Sequence, residues 1–230
     1  MCVRYTLHKT DAALNAISAA LGTPLETPDW AVPRFNATLT TVMPVVAISG
    51  TRPEVRPMRW GFVLHGVTPK LIANAKSETV ATLGAFKKAA ATRRCLVPAN
   101  GFYEWLTKGS VKLPRLFTLA DEEPFALAGI WDPPAGELPE TFCVLTTEPN
   151  ELVARVHNRM PVILTRDTMP RWIGDQPLAP DELKDLFRPI EASRMASRPV
   201  SRYMSNSRNE GPRCLEPPDE PLPEPELDFG

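Results

Sequence analysis

Hydrophobic residues recur at two different spacings along this chain. From Thr10 to Leu21 they fall at helical intervals and stop at Gly22, which predicts one helix there. Weaker helical patterns, the last one opened by a proline, predict further helices over Glu78–Ala91, Arg166–Ile173 and Pro180–Phe187. Short apolar runs bounded by turn residues predict strands instead. These runs are Val42–Ile48, Arg56–Leu64, Arg94–Pro98, Phe102–Leu106, Arg115–Leu119, Phe125–Trp131, Thr141–Thr147, Val162–Leu164 and Arg198–Met204.

The order of these elements indicates an α+β fold. Many short strands with few helices are typical of a single domain built on a curved or barrel-like, mainly antiparallel sheet with peripheral helices, and we assign residues 1–214 to it. Pro44 cannot donate to a sheet ladder, so its strand is expected at a sheet edge. His65-Gly66 is expected to form a turn. Residues 215–230 hold six acidic residues, no basic residue and many prolines, which predicts a disordered tail.

Composition narrows the functional classes without choosing one. The chain has 230 residues, 43% of them hydrophobic and 23% charged, which is ordinary for a globular domain with its own core. It contains no run of about 18 apolar residues, and its start lacks a signal-peptide pattern, so we expect a cytoplasmic protein without a membrane span. Before the tail, 26 basic residues stand against 21 acidic ones. This mildly basic body permits a polyanionic partner.

The cysteines and histidines do not have the spacing of a metal site. Cys2, Cys95, Cys143 and Cys214 form no Cys-x-x-Cys pair, and the three histidines are far apart. We therefore predict neither a metal nor a cofactor. Cys95 and Cys143 lie within apolar runs and are expected to be core thiols.

Cys2 follows the initiator methionine, whose removal would make this cysteine the N-terminus. Such a terminus carries an amine with a pKa of about 7.7–8.0 next to a thiol with a pKa of about 8.5. The amine can condense with an aldehyde to an imine, which the thiolate then closes to a five-membered thiazolidine. Position alone is weak support, because a cysteine can stand there by accident.

Three further side chains are candidates for proton transfer or positioning. Glu104 lies in Gly101-Phe102-Tyr103-Glu104-Trp105, on the same strand face as Phe102. It is either a buried carboxylate with a raised pKa or an outward-facing strand residue. His157, at a loop-to-strand junction, is either a proton shuttle or a structural histidine. Asn74 is either a positioning residue or a cap of a turn or of the following helix.

Basic residues accompany these candidates, and Trp60 follows one of them directly. Aromatic–basic pairs suit stacking on bases and contact with phosphates, but the chain contains no helix-turn-helix, zinc-finger or RNP motif. The basic residues of interest are Arg4, Arg59, Lys76, Arg93, Arg94, Arg159, Arg202 and Arg208.

A series of short motifs runs in order from position 2 to about position 209. They are Cys2 with Arg4-Tyr5, Arg34-Phe35-Asn36, Arg59-Trp60-Gly61, Asn74-Ala75-Lys76-Ser77-Glu78-Thr79, Arg94-Cys95-Leu96-Val97-Pro98, Gly101-Phe102-Tyr103-Glu104-Trp105, Thr146-Thr147-Glu148-Pro149-Asn150, His157-Asn158-Arg159-Met160-Pro161, and Pro199-Val200-Ser201 before Asn206. No motif is decisive alone. In this order, beginning with a cysteine at position two, they resemble the SOS-response-associated peptidase (SRAP) family of abasic-site processing proteins.

The resemblance implies a covalent DNA-repair intermediate, in which the N-terminal cysteine attaches to an abasic (AP) site in single-stranded DNA as a thiazolidine. Cys2 would be the nucleophile and Glu104 the general acid and base, with His157 assisting proton transfer and Asn74 positioning the amine. An autopeptidase step that exposes Cys2, a lyase activity and a nucleoid-associated location are further implications. The implied DNA-binding residues are Arg4, Trp60, Lys76, Trp105, Thr146 and Arg159.

The chain departs from the family pattern where DNA would be held. Val3 replaces a glycine, and Asn36-Ala37-Thr38-Leu39 lacks the proline of an Asn-x-Ala-Pro loop. His65-Gly66 stands where an aromatic pair is usual. Lys76 replaces an arginine, which weakens two-point contact with phosphate. The residues implied in the chemistry are all present.

Other interpretations stay open at the level of sequence. One is a non-catalytic module that binds single-stranded DNA. Another is a cysteine peptidase that pairs His157 with a different thiol, such as Cys95. The segment Glu226-Leu227-Asp228-Phe229 is either a solubilising end or a peptide that docks on a replication clamp.

Overall fold

The computed structural model describes residues 3–64 and 70–219. In these residues the strands are β1 (Tyr5–Leu7), β2 (Arg34–Ala37), β3 (Val42–Ser49), β4 (Arg52–Trp60), β5 (Phe62–Leu64), β6 (Lys70–Ile72), β7 (Asn74–Lys76), β8 (Arg94–Ala99), β9 (Gly101–Lys108), β10 (Val111–Leu119), β11 (Phe125–Asp132), β12 (Thr141–Thr147), β13 (Met160–Pro161), β14 (Ile163–Leu164) and β15 (Met195–Pro199). The helices are α1 (Thr10–Leu21), α2 (Ser77–Val80), α3 (Gly84–Thr92), α4 (Glu151–Ala154), α5 (Met169–Trp172) and α6 (Pro180–Leu186), with 3₁₀ turns at Ala192–Arg194, Arg202–Ser205 and Pro212–Leu215. No helix in these ranges is long and apolar enough to cross a membrane.

Five strands form an antiparallel sheet in the order β15-β10-β9-β1-β2. The β9–β10 hairpin supplies its longest pairing, from Val111↔Lys108 to Phe117↔Phe102. Strand β1 joins β9 through Tyr5↔Phe102. The first residues of the described chain therefore run beside the segment that contains Glu104.

The second sheet follows the order β13-β12-β4-β3-β8-β11-β14, and β12 also pairs with β11 and with β7. The pairings among β12, β4, β3, β8 and β11 return to their starting strand, so this sheet is partly ring-like. Only the short pairings of β12 with β4 and with β7 are parallel. The prediction of a mixed α+β domain with a curved, mainly antiparallel sheet is confirmed.

The core has two layers, one between the two sheets and one under the helices. Tyr5 packs edge-on against Trp60 at 5.1 Å between ring centroids, and Phe102 stacks on Phe117 at 5.1 Å. Helices α1, α3, α5 and α6 cover the outer side of the second sheet with residues such as Ile17, Phe86 and Trp172. The Tyr5–Trp60 contact therefore joins β1, the neighbour of the strand that carries Glu104, to β4 of the second sheet.

Several predicted elements have different boundaries in the structure. The helix predicted over Glu78–Ala91 is two helices, because Leu83 is extended before Gly84. The strand predicted over Arg56–Leu64 begins at Arg52 and breaks at Gly61, which has a φ of 131°. The strand predicted over Arg198–Met204 ends at Pro199, and Ser201 caps a 3₁₀ turn by accepting a hydrogen bond from Tyr203 N–H.

The edge position predicted for Val42–Ile48 is wrong. Strand β3 lies inside its sheet, between β4 and β8. Its pairing with β8 covers only Val46 and Ala47. Pro44 lies outside that stretch and faces Pro57 of β4, so its missing N–H costs no ladder bond to β8.

Candidate functional site

Glu104 is a buried carboxylate on an inner sheet face. Its residue is 3% exposed and lies on β9 in the alternation of Phe102, which is fully buried. Burial raises the pKa of Glu104 to about 7. The outward-facing alternative is therefore wrong, and this carboxyl group can take or give a proton near neutral pH.

Arg4, just before β1, and Trp105, next to Glu104 on β9, lie on the opposite face of the sheet from the Glu104 side chain. The Arg4 guanidinium donates to Oδ1 of Asn36 (2.9 Å) and to the carbonyl of Met204 (3.1 Å), and it lies 5.9 Å from the centroid of the Trp105 ring. The Trp105 indole N–H donates to Oγ of Ser205 (3.1 Å). Both side chains are therefore held in place, and Trp105 keeps part of its ring at the surface.

Asn36, which the sequence analysis named only as part of a motif, holds the segments around Arg4 together. Its buried amide nitrogen donates to the carbonyls of Met204, Asn206 and Asn209, at 2.9–3.0 Å. It thereby ties β2 to the segment after β15 and fixes the carbonyl that receives Arg4. Nothing in the sequence pattern pairs Asn36 with a segment about 170 positions away.

Asn74 lies at the start of β7, nearly buried and opposite Val144 of β12. The alternative that it caps a helix is wrong, because Lys76 takes the N-cap position of α2. The preceding carbonyl, that of Ala73, accepts the indole N–H of Trp60 at 2.9 Å. Trp60 therefore links Asn74 to Tyr5 and hence to the first sheet.

Trp60 itself does not reach the surface. Its residue is 0% exposed and packs between Tyr5 and Phe142. A base could not stack on it without opening the core, so the expectation that Trp60 lines a DNA surface is corrected to a supporting role. Tyr5 of β1 and Phe142 of β12 cover the Trp60 ring, and this coverage cannot be read from the sequence.

His157 follows α4, and its ring contacts the backbone of Arg159, two residues later. Its Nδ1 lies 3.0 Å from the backbone nitrogen of Arg159 and 3.3 Å from the carbonyl oxygen of the same residue, so it accepts from the N–H when unprotonated and donates to the carbonyl when protonated. Burial lowers the pKa of His157. The ring is therefore a neutral proton donor or acceptor at pH 7, and one nitrogen already has a structural partner.

Lys76, Thr146 and Arg159 come together at the edge of the second sheet. Lys76 is paired with Thr146 across β7 and β12 and is exposed. The Nη2 group of Arg159 donates to the carbonyl of Thr146 at 2.6 Å. The Thr146 side chain is 0% exposed, and its hydroxyl lies 3.5 Å from the Ala75 carbonyl. The expectation that Thr146 binds DNA is thus corrected to a role in holding its neighbours.

Glu78, which the sequence shows only as a member of the Asn74–Thr79 motif, lies beside these candidates. Its carboxylate accepts two hydrogen bonds from Arg159, at 2.5 and 2.9 Å. These bonds hold the pKa of Glu78 below its usual range. The two residues are 81 positions apart, so no local pattern could have paired them.

Arg94, one of the basic candidates, is a structural residue. It is 2% exposed, and its guanidinium donates to the carbonyls of Trp172 (2.6 Å), Ala91 (2.7 Å) and Gln176 (2.8 Å). These carbonyls lie at the ends of α3 and α5 and just beyond. Arg94 therefore ties helices to β8 and is not available to a nucleic acid.

The thiols in the described ranges are confined to the core. Cys95 and Cys143 are fully buried, and burial raises the pKa of both, as expected for core residues. Cys214 is also buried, and burial raises its pKa to about 11. A peptidase nucleophile at Cys95 would need access that this position lacks. Cys2, His65-Gly66 and residues 220–230 lie outside the described residues.

The candidate functional residues therefore lie in two groups. The contact between Tyr5 and Trp60 connects them. The first sheet holds Arg4, Glu104 and Trp105. The edge of the second sheet holds Asn74, Lys76, Thr146, His157 and Arg159, with Glu78 beside them. Each group combines a side chain that can titrate near neutral pH, Glu104 or His157, with cationic ones.

Comparison with known proteins identifies relatives of similar length. The sequence profile of the family described as SOS response associated peptidase (SRAP) matches residues 1–207. The abasic site processing protein YoqW of Bacillus subtilis is 31% identical over 192 residues, which cover 80% of this chain and 86% of that protein. The abasic site processing protein YedK of Escherichia coli is 26% identical over 188 residues, 80% of this chain and 84% of that protein. A crystal structure of a protein from Bacteroides thetaiotaomicron shares the fold, with a TM-score of 0.76, 22% identity, and coverage of 94% of this chain and 99% of that one.

Proposed function

Because the chain belongs to the SOS response associated peptidase (SRAP) family, we propose that it processes abasic sites in single-stranded DNA by forming a thiazolidine through Cys2. The observation that carries the proposal is the buried Glu104, whose pKa of about 7 suits acid and base catalysis at neutral pH. Val3, to which Cys2 is bonded, lines the same groove as Trp105, the neighbour of Glu104.

The proposed reaction joins one aldehyde to one aminothiol and releases one water. Hydrolysis of the Met1–Cys2 bond first frees the α-amine. The protonated Glu104 gives its proton to the ring oxygen of the abasic deoxyribose and takes up the proton of the anomeric hydroxyl, so the ring opens to the aldehyde and Glu104 is protonated again. The amine adds to the carbonyl carbon, and one of its protons passes to the carbonyl oxygen. Glu104 then protonates the resulting hydroxyl, which leaves as water, and takes back the remaining proton of the nitrogen, which leaves the imine.

Ring closure completes the adduct. The Cys2 thiolate adds to the imine carbon, its electron pair forms the carbon–sulfur bond, and the imine nitrogen takes up a proton. The neutral His157 ring is suited to accept the thiol proton or to pass it on. Asn74 would orient the amine through its side-chain amide.

The surrounding cations would hold the DNA backbone. Lys76 is exposed, and Arg4 and Arg159 keep N–H groups in fixed directions through their protein partners. Trp105 offers a partly exposed ring for stacking on a base. Trp60 and Thr146 would not contact the DNA. Trp60 would hold the carbonyl of Ala73 in place, and Thr146 would hold the Arg159 guanidinium.

The test is incubation with a single-stranded oligonucleotide that carries one AP site, followed by denaturing electrophoresis. We expect a heat-stable adduct from the wild-type chain, none from Cys2→Ser, and a rate at least about 100-fold lower from Glu104→Gln. An undamaged oligonucleotide of the same sequence is the control. Equal adduct yields from Cys2→Ser would rule out the proposal. Binding that is indifferent to the AP site and to Glu104→Gln would support the non-catalytic alternative.

A further inference from the structure

A groove of about 820 Å³ opens beside Trp105, between the end of the β9–β10 hairpin and the 3₁₀ turn Arg202–Ser205. Its volume lies within the roughly 300–1,000 Å³ of typical ligand sites. Two exposed cations, Lys112 and Arg202, stand at its sides. None of the described residues that line it is acidic.

The remaining lining is apolar or aromatic. Val3 and Val111 are each 40% exposed there, and the half-buried Trp105 ring borders both of them. Exposed apolar side chains and a stacking ring between cations are what single-stranded nucleic acid requires: bases stack, and phosphates pair with ammonium or guanidinium groups. Charge and stacking together favour an oligonucleotide over an acidic peptide, which would have no use for the indole face.

The groove is also held rigid at the point where it meets the proposed reaction site. Ser205 accepts the indole N–H of Trp105 through its hydroxyl (3.1 Å), and its carbonyl accepts a bond from Arg4 (3.4 Å). The same 3₁₀ turn carries Arg202 at its first position. A strand in this groove would therefore find its stacking ring already fixed, which lowers the entropy cost of binding.

We propose that this groove holds the nucleotides on one side of the abasic site, with Lys112 and Arg202 contacting their phosphates and Trp105 stacking on the nearest base. This inference rests on the proposed function, because it places the lesion next to Val3. It adds a second backbone contact region, on a different sheet from Lys76 and Arg159. The two regions would then receive opposite flanks of the lesion.

The test uses three oligonucleotides that carry tetrahydrofuran, a stable abasic analogue, at the centre, at the 5′ end or at the 3′ end. Binding of the wild-type chain is compared with binding of Lys112→Ala/Arg202→Ala. We expect the double variant to bind the central oligonucleotide about tenfold more weakly than the wild-type chain does. The same loss is expected for the one terminal oligonucleotide whose nucleotides lie on the side of the lesion that the groove holds. The other terminal oligonucleotide should bind both proteins equally. Two lost phosphate contacts should also reduce the slope of log K against log salt by about 1.4.

Lys87→Ala/Lys88→Ala is the matched control, since these two lysines are exposed on α3. Equal weakening of all three oligonucleotides, or no more weakening than in the control, would overturn the inference. The proposed function is judged separately, by whether the wild-type chain forms an adduct with a true AP site.

Discussion

Arg159 and Glu78 form a two-point ion pair, with Nη1 2.5 Å from Oε1 and Nη2 2.9 Å from Oε2. The same guanidinium donates to the Thr146 carbonyl. The pair thus joins α2, the end of β12 and the segment before β13, and it leaves Arg159 few N–H groups for a phosphate. Arg159, which is proposed to bind DNA, therefore also stabilises the fold.

This pair should contribute modestly to stability, because the Glu78 side chain is half exposed and water screens it. The pKa of Glu78 is lowered in the folded state, so the contribution is present above the usual carboxyl pKa of about 4.3 and is lost as pH falls below it. We expect Glu78→Gln to lower the free energy of unfolding by about 0.5–1 kcal/mol at pH 7. Urea titrations at pH 7 and pH 3 check this.

The exposed Glu137 offers the matched substitution for that series. Glu137→Gln should leave the free energy of unfolding unchanged at both pH values. A loss in Glu78→Gln that is as large at pH 3 as at pH 7 would mean that packing, and not the ion pair, is responsible.

Glu104 should make the protein less stable as pH rises. Its pKa is raised from about 4.5 to about 7 in the folded state, so the folded chain holds a proton that the unfolded chain has released. Stability is therefore fully present below about 4.5 and decreases as pH rises to about 7, by about 3 kcal/mol in total. Glu104→Gln should remove this term and be more stable than the wild-type chain at pH 8. Equal dependence of the unfolding free energy on pH in both proteins would contradict the assignment.

The rate of adduct formation should also depend on pH through Glu104. The amine must be unprotonated, which favours pH above its pKa of about 7.7–8.0, and Glu104 must be protonated, which favours pH below about 7. We expect a bell-shaped profile with its maximum between these values. In Glu104→Gln the fall on the alkaline side should be absent from the residual rate, as single-turnover kinetics from pH 5 to pH 9 would show.

The two tryptophans should separate stability from binding. Trp60→Ala should cost about 3–5 kcal/mol, because it empties a fully buried site. Trp60→Phe should keep most of the packing and lose the bond to Ala73. Trp105→Ala should cost less stability than Trp60→Ala, because its ring is only half-buried, and should weaken binding of single-stranded DNA by about 1–3 kcal/mol. A loss of DNA affinity in Trp60→Phe as large as in Trp105→Ala would restore the role first expected for Trp60.

Arg94 provides a further test of which cations serve the fold. Arg94→Lys cannot reach the three separate carbonyls that the guanidinium holds, so we expect a loss of about 2–4 kcal/mol of stability. Affinity for DNA, measured at a temperature where the variant is folded, should not change. A drop in affinity with full stability would place Arg94 at the interface.

The sequence predicted those features that depend on local pattern. The inward orientation of Glu104 followed from its alternation with Phe102, and the helix over Thr10–Leu21 followed from its spacing and from Gly22. The sequence could not predict that Trp60 and Thr146 are buried. Their burial depends on which other strands pack against β4 and β12. The pairs Glu78–Arg159 and Asn36–Met204 join distant segments, and the pattern of either segment carries no information about the other.

The most direct measurement is the intact mass of the protein before and after exposure to single-stranded DNA with one AP site. The account predicts a chain that lacks Met1 and, after exposure, a species heavier by the oligonucleotide minus one water, absent in Cys2→Ser. A chain that lacks Met1 but shows no such species, or an adduct of the same mass in Cys2→Ser, would contradict it.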